Sequence, residues 1–565
     1  MFQRSHLGVA AAAAAVTTIA STAAGPWAAD TLLITGGRVL AAEGDRWLEG
    51  HAVLIADGRI EKVASLKTID VHPELLHIDL DGGYLVPGLI DLHTHLMLHP
   101  YDEASWDEQV LKESLGLRTA RAVAAAQRTL EAGFTTIREL GTEGAGYADV
   151  GLRDAVAGGI VPGPTILTAT RALVASGAYG PAGFDPRWAI PKGAQVVDGP
   201  DAVRRAVREQ IAAGADWIKV YADYRRRPGV PATPTFSPAE LEAAVDEARS
   251  AGLGVSAHAT TDEGIRRAVE AGVRTIEHGT DASAETLALM RNRGVTLCPT
   301  LAAAEAIARY QGWAPPDPQP ERLRRAMAMF QRALAAGVGI ACGSDAGVFA
   351  HGDNARELEL MVAGGMTATE ALRSATAVAA EVIGKEENLG RIAPGFTADL
   401  VAVSGDPLLD IAALSRPIVV IKHGHVVVDR RAIPAQETRA ELLAVCQRVF
   451  ETLAEGRIDD LKELFLPEAV VTFELRATDQ QISIGVEQFL ERARGQYGPD
   501  SSFREWISGK PTVLVDGAIA VVWAPFLLKR AGMLATGTDV FGFLKIDGHW
   551  RISSLSFTNR PVGST

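Results

Sequence analysis

Short apolar runs, each ending in polar or charged side chains and each followed by an amphipathic stretch rich in Ala, Leu, Glu and Arg, repeat through the middle of the chain. Eight are legible: residues 85–92, 135–140, 165–170, 216–222, 254–259, 274–279, 295–300 and 337–345. Apolar runs of this length, bounded by turn residues, predict buried strands, and the 3.6-residue period between them predicts helices such as 200–213, 237–251 and 320–336. Alternating strand and helix makes an α/β fold with a parallel sheet, and eight units make a (β/α)8 TIM-like barrel over residues 87–385.

The flanks follow a different rule. Residues 30–66 alternate in short pieces with Gly-containing turns ("TLLITGGRVL", "HAVLIADGRIEKV"), as antiparallel strands do, and the same character returns at 390–407 and 418–429. One small β-sandwich domain is therefore expected from residues 30–86 and 386–433 together. After a Pro-containing break near residue 434, a helix is predicted from "ETRAELLAVCQRVFETLAEG", where Leu442, Cys446, Val449 and Leu453 recur at helical spacing. A short helix (458–466), a strand, a helix near 485–497 and three or four long β runs follow. That order predicts a separate α+β, cone-shaped domain over 437–562, with Trp523, Phe541, Phe543 and Trp550 filling its interior.

Residues 1–29 carry one Arg near the start, then a small, apolar tract with no acid before Asp30. This reads as a secretory signal peptide cleaved after Ala23 or Ala24, with an uncleaved anchor as the alternative, and implies a periplasmic or secreted protein. No later tract is long and apolar enough to span a membrane. The formal charge of −14 lacks the basic footprint that nucleic acid requires. Cys298, Cys342 and Cys446 are far apart in apolar runs and read as core thiols.

The ends of the apolar runs hold the chemistry. His93 and His95, two apart in "LVPGLIDLHTHL", project from one face of a strand. Lys219, His258, His278 and Asp345 end four further runs, and in a barrel the strand ends build the active site. One histidine in an apolar strand is an ordinary core residue; four at strand ends are a constellation. Lys219 shares a strand face with Trp217 and Tyr221, so an interior position would leave its ammonium buried without an obvious counter-ion. The other reading lays its stem along the barrel with its head in solvent.

"DLHTH", the Lys of "WIKVY", the His of "SAHA", the His of "IEHG" and the Asp of "CGSDAG" resemble the amidohydrolase superfamily, over about residues 30–432, and "LGRIAPGFTADLVAV" looks like its returning β segment. The likeness is greatest to its prolidase-like and imidazolonepropionase-like members. It implies two divalent metal ions, zinc by ligand type, with His93, His95 and Asp345 in one site and His258 and His278 in another, bridged by a carboxylated Lys219. Asp345 would shuttle the proton, its other role being a helix N-cap. The resemblance further implies cleavage of amide or peptide C–N bonds in dipeptides or N-acyl amino acids, as a dipeptidase does; a cyclic amide or lactone hydrolase is the alternative. The C-terminal segment resembles nuclear-transport-factor-like (polyketide-cyclase-like) domains, which suggests ligand binding or homo-oligomer formation through that part. Three residues are candidate substrate ligands, each with a structural alternative: Tyr221 (a core tyrosine), His351 in "FAHGDN" (a loop cap) and Arg138 in "TTIREL" (a partner for Glu139 or another acid). The run Arg225, Arg226, Arg227 is either a solvated loop or a further partner for a substrate carboxylate.

Overall fold

Val86 and Val401 face each other in an antiparallel pair although the whole central region separates them in sequence. In this computed structural model, which describes residues 31–69, 76–185, 187–227, 229–430, 436–475, 480–494, 497, 503–508, 511–530 and 533–561, that pair joins the two flanks. Strand Leu400–Val403, buried along its length, lies between Tyr84–Pro87 and Pro417–Lys422 in a six-stranded sheet. A four-stranded sheet of Leu32–Thr35, His51–Ala56, Arg59–Ser65 and Leu76–Asp79 accompanies it. The expected leader and the break near Pro434 fall outside the described residues.

Two units divide the chain, Met1–Val428 and Asp429–Thr565. Within the first, a first core strand (Leu89–Thr94) pairs in parallel with a second (Phe134–Glu139), and that with a third (Thr165–Thr168). A fourth to seventh (Trp217–Tyr221, Gly254–Ala259, Thr275–His278, Thr296–Cys298) follow in order in another parallel sheet, extended by Leu173–Val174 and Gln195–Val196. The first and second strands are buried at every residue, as parallel strands covered on both faces must be. Helices Pro200–Ala212, Pro238–Ser250 and Glu321–Ala335 match the predicted spans closely. Ser237 starts one of them with a reciprocal capping box to Glu240.

The eighth apolar run departs from expectation. Residues 337–345 form no regular strand; Ile340 makes an isolated parallel bridge with Leu297, and Ala346, the next residue after the run, makes one with Thr94. Backbone hydrogen bonds still tie the segment to both neighbours, from Ala341 N to Leu297 O (3.0 Å) and from Leu92 N to Cys342 O (2.9 Å). Two features spoil the strand. A Cβ at Gly343 would stand 2.8 Å from Cys298 Cβ and 3.0 Å from His93 Cβ, and Asp345 takes a left-handed conformation (φ 64°).

In the second unit, helix Gln436–Glu455 lays Leu442, Cys446, Val449 and Phe450 into one cluster with Phe541, Phe543 and Trp550. A 3₁₀ turn (Ile458–Glu463), helix Val486–Arg494 and a seven-stranded, mostly antiparallel sheet complete it. Trp523 is the exception to the expected filling. On strand Ile519–Arg530 the even-numbered Val522 and Ala524 point inward, so the period of two turns Trp523 outward, 40 % exposed. All three cysteines are buried and free. No helix among the described residues is long and apolar enough to cross a membrane.

One buried ion pair fastens the flanking sheet to the core. Lys422 Nζ donates to Asp399 Oδ2 and to Thr165 Oγ1 of the third core strand, both at 2.6 Å, and His423 N donates to Asp399 Oδ1 (2.8 Å). Asp399→Ala would leave a buried ammonium unpaired and is expected to cost about 3–5 kcal/mol. Denaturant titration should show an earlier first transition, largely restored by also replacing Lys422 with Met.

Candidate active site

The cluster is assembled where the core strands end. Asp91, fully buried, accepts from the backbone N–H of His93 and of Ser344, both at 3.0 Å, and from Asn354 Nδ2 at 2.8 Å. One carboxylate thus holds the first strand and the eighth segment in register, and sets His93 and His95 against Asp345. The Asp345 Oδ1 atom lies 3.3 Å from His95 Nε2 and 3.6 Å from His93 Nε2. Ligand atoms of His93, His278 and Asp345 all fall within 4.8 Å of one another. The sequence reading places His278 with His258, apart from His93; in the structure it bridges the two, its ring centroid 5.3 Å from His93 and 4.6 Å from His258.

Three of the four imidazoles are oriented from behind. His93 Nδ1 donates to Glu277 Oε2 (2.7 Å), His95 Nδ1 to the Gly141 carbonyl (2.9 Å) and His278 Nδ1 to Thr300 Oγ1 (2.7 Å), whose own hydroxyl donates to Pro299 O (2.8 Å). Protonation at Nδ1 makes Nε2 the ligating atom of each ring. Burial, with the Lys219 charge adding, lowers the pKa of His93 and takes His258 well below the ordinary histidine range, while at His278 the neighbouring His258 and His93 add more. Burial pulls His95 the same way, but the hydrogen bond and charge of Asp345 carry it up to about 9.

Lys219 and Glu277 lie beneath. Lys219 is 1 % exposed and its Nζ has no hydrogen-bond partner among the described residues. Burial lowers its pKa against the attraction of Glu277 and Asp345. Glu277 also accepts from Arg138 (3.1 Å), Ser256 (2.7 Å) and Thr275. Although burial pushes its carboxyl up, Arg138 and His93 hold it well below the usual range. Imidazoles with Nε2 as the ligating atom, a carboxylate and an orphaned buried amine together fit a site for divalent cations.

Above the cluster opens a cavity of about 1460 Å³ lined by His93, His95, His258, His278 and Asp345. Tyr221 is on its wall, stacked between His258 (centroids 4.5 Å) and Tyr179 (4.4 Å). Arg225, Arg226 and Arg227 line it too, as do four residues that were not candidates from sequence, Trp106, Glu143, Tyr224 and Arg322. Glu143 accepts from Trp106 Nε1 (2.9 Å) and the Tyr179 hydroxyl. The other two candidate substrate ligands lie elsewhere. Arg138 is fully buried, donates to Leu92 O (2.7 Å) and Glu277, and stacks over Trp217 (4.4 Å), which is its structural alternative with Glu277 as the acid. His351 is buried behind the first strand with its Nε2 on His95 O (3.1 Å), and burial lowers its imidazole to about 4.

Residues 84–427 match the family described as "Amidohydrolase family". The chain belongs to the amidohydrolase family. Residues 437–558 match a second, described as "Putative lumazine-binding", which is nuclear-transport-factor-like. An ochratoxinase of Aspergillus niger is 31 % identical over 421 residues, covering 69 % of this chain and 84 % of that one. A solved Xaa-Pro dipeptidase with bound methionine in its active site is 33 % identical at a TM-score of 0.62, covering 70 % of this chain and 99 % of that one. A prolidase complexed with N-methylphosphonate-L-proline is 33 % identical at 0.63, covering 71 % and 100 %. These likenesses imply a TIM-type barrel with added domains, and they make this amidohydrolase a hydrolase of carbon–nitrogen bonds.

Residues that orient metal ligands are worth about 10–100-fold in metal affinity when altered. Glu277→Gln keeps the shape and removes the charge behind His93; competition against a fluorescent zinc chelator should show a loss of that size, with the far-ultraviolet spectrum unchanged.

Proposed function

We propose that this amidohydrolase is an exported, metal-dependent enzyme that cleaves the amide bond of dipeptides or N-acyl amino acids. The convergence of His93, His278 and Asp345 on one point beside the unpartnered Lys219 amine carries this reading. His93, His95, His258, His278 and Asp345 would hold two divalent cations, zinc by ligand type, within a (β/α)8 barrel. Lys219 completes the set once its neutral amine adds carbon dioxide, forming an N–C bond and releasing a proton to leave an anionic carbamate. Such a carbamate removes the cost of a buried, unpaired ammonium. Bound cations supply Lewis-acid activation of the carbonyl and of water.

The chain's own residues do the rest. Asp345, aimed into the cavity, takes a proton from the attacking water and returns it to the leaving nitrogen. Glu277, Gly141 and Thr300 hold three of the imidazoles in one tautomer, with Nε2 kept for the cations they would bind. Tyr221, fixed between two rings, orients the substrate carbonyl or carboxylate. The related Xaa-Pro dipeptidase and prolidase support a substrate with a free carboxylate. Residues 1–29, by composition, direct export.

Lys219→Ala should lose bound metal and activity together, with partial return on adding short carboxylic acids; elemental analysis alongside turnover tests this. Asp345→Asn should lower kcat by ~10² to 10⁴ with the fold retained. For substrate class, an N-acyl amino acid should be hydrolysed at least tenfold more efficiently than its C-terminal amide. Equal kcat/KM for the pair would turn the reading toward cyclic amides or lactones.

A further inference from the structure

A row of rings leads outward from the histidine cluster. Tyr221, at the end of the fourth core strand, stacks on His258 (centroids 4.5 Å) and on Tyr179 (4.4 Å). Trp106 meets Tyr179 edge to face at 4.9 Å, and Tyr224 stands across Tyr179 and Tyr221 at 5.1 and 5.9 Å. All five rings line the cavity, where Tyr221 is buried and Trp106, Tyr179 and Tyr224 are half-buried.

The chain fixes this row from behind. Glu143 is 2 % exposed, and its Oε2 accepts from Trp106 Nε1 (2.9 Å) and from the Tyr179 hydroxyl. Each ring spends its one polar hydrogen on a buried carboxylate, so the pair offers the cavity carbon. Glu143 is held in turn: its backbone carbonyl accepts from Arg118 Nη1 (2.9 Å), and its Oε1 lies 3.9 Å from His95 Nδ1. Ser105 caps helix Trp106–Lys112 through a reciprocal box with Glu108, which sets where Trp106 stands. A Cβ at Gly193 would run into the Trp106 ring and stand 3.3 Å from Tyr179 Cε1, so the missing side chain is what seats both rings.

Size decides what such a row can serve. The cavity of about 1460 Å³ exceeds the ~300–1,000 Å³ of ordinary ligand pockets, whereas the methyl of an acetyl group is shorter than one step of the row. A flat aromatic group gains burial together with stacked and edge-on ring contacts, which an aliphatic chain of equal area does not. Elsewhere on the wall, the acids Asp281 and Glu321 are answered by Arg325 and Arg324.

We infer that Trp106, Tyr179 and Tyr224 bind the acyl half of the substrate as a flat aromatic ring system, with Glu143 as the positioning residue of that wall. This rests on the amide-cleavage reading above and adds to it what lies on the carbonyl side of the scissile bond. Tyr221 keeps its hydroxyl for the substrate and lends its ring to the row.

The probes are N-acetyl-, N-benzoyl- and N-(2-naphthoyl)-L-methionine, hydrolysed by the zinc-loaded parent, Trp106→Leu, Trp106→Phe and Glu143→Gln. Methionine is kept as the constant leaving half because a related dipeptidase holds it in its active site. In the parent, kcat/KM should rise about tenfold or more from the acetyl to the naphthoyl compound, chiefly through KM, with benzoyl between them. Trp106→Leu should cut that ratio at least fivefold, and Trp106→Phe, which restores a ring, should keep at least half of it. Glu143→Gln should raise KM for the naphthoyl compound at least threefold more than for the acetyl one, a split that general loss of fold does not produce and that decides the matter should the Leu variant misfold. A parent ratio near one, a parental ratio in Trp106→Leu or Glu143→Gln, or a Phe variant as unselective as the Leu variant overturns the assignment. If the parent cleaves none of the three, the amide-cleavage reading fails, and calorimetric binding of the naphthoyl compound decides the wall by itself: affinity at least fivefold weaker in Trp106→Leu sustains it, whereas a smaller loss, or no binding by the parent, overturns it.

Discussion

Glu277 is the group on which the site depends. A carboxylate with no solvent contact is tolerable only when its charge is answered, and here four strands answer it: His93 from the first, Arg138 from the second, Ser256 from the fifth and Thr275 from its own. Each bond satisfies the acid and also fixes where a strand stands relative to its neighbours. The acid therefore acts on position and on charge together. It selects the His93 tautomer, it offsets the buried guanidinium of Arg138, and its field reaches Lys219. Removing any one of these partners would expose the others to the full cost of burial.

The backbone is bent where side chains must be aimed. Of nine non-glycine residues with positive φ among those described, five lie at or just beyond the ends of core strands or of the eighth segment: Glu143, Thr170, His278, Thr300 and Asp345. Such conformations cost about 1–3 kcal/mol each and persist only where the surroundings over-determine them. At His278 and Asp345 the left-handed turn brings a ligand atom to the cluster, and at Thr300 it brings the hydroxyl that holds His278. The strain and the ligand geometry are one arrangement.

Much of this was legible beforehand, and the reasons for the rest are physical. Polar residues at the ends of apolar runs identified His93, His95, Lys219, His258, His278 and Asp345, because a barrel exposes only strand ends to its ligand. Glu277 carried a signal as well, an acid inside "RTIEHG", but which residue it meets depends on the register between strands, which no single strand contains. Arg138 looked like a ligand for the same reason: its partner is 139 residues away. Arg322 and Trp106 lie on helices and Glu143 in a loop, where periodicity gives no hint of a cavity. Trp523 was misplaced by one step of an alternation, and the eighth run by one glycine and one bent aspartate.

The antiparallel pair of Val86 with Val401 has a consequence for how the chain is made. About 315 residues separate the two partners. At ordinary synthesis rates the earlier strand emerges on the order of half a minute before the later one exists. Throughout that interval Tyr84–Pro87 offers an open edge of apolar residues while the core strands beside it are still accumulating. The seam between the two ends of the hydrolase unit is thus also a timer, and it is the place where a cell's holding chaperones have longest to act.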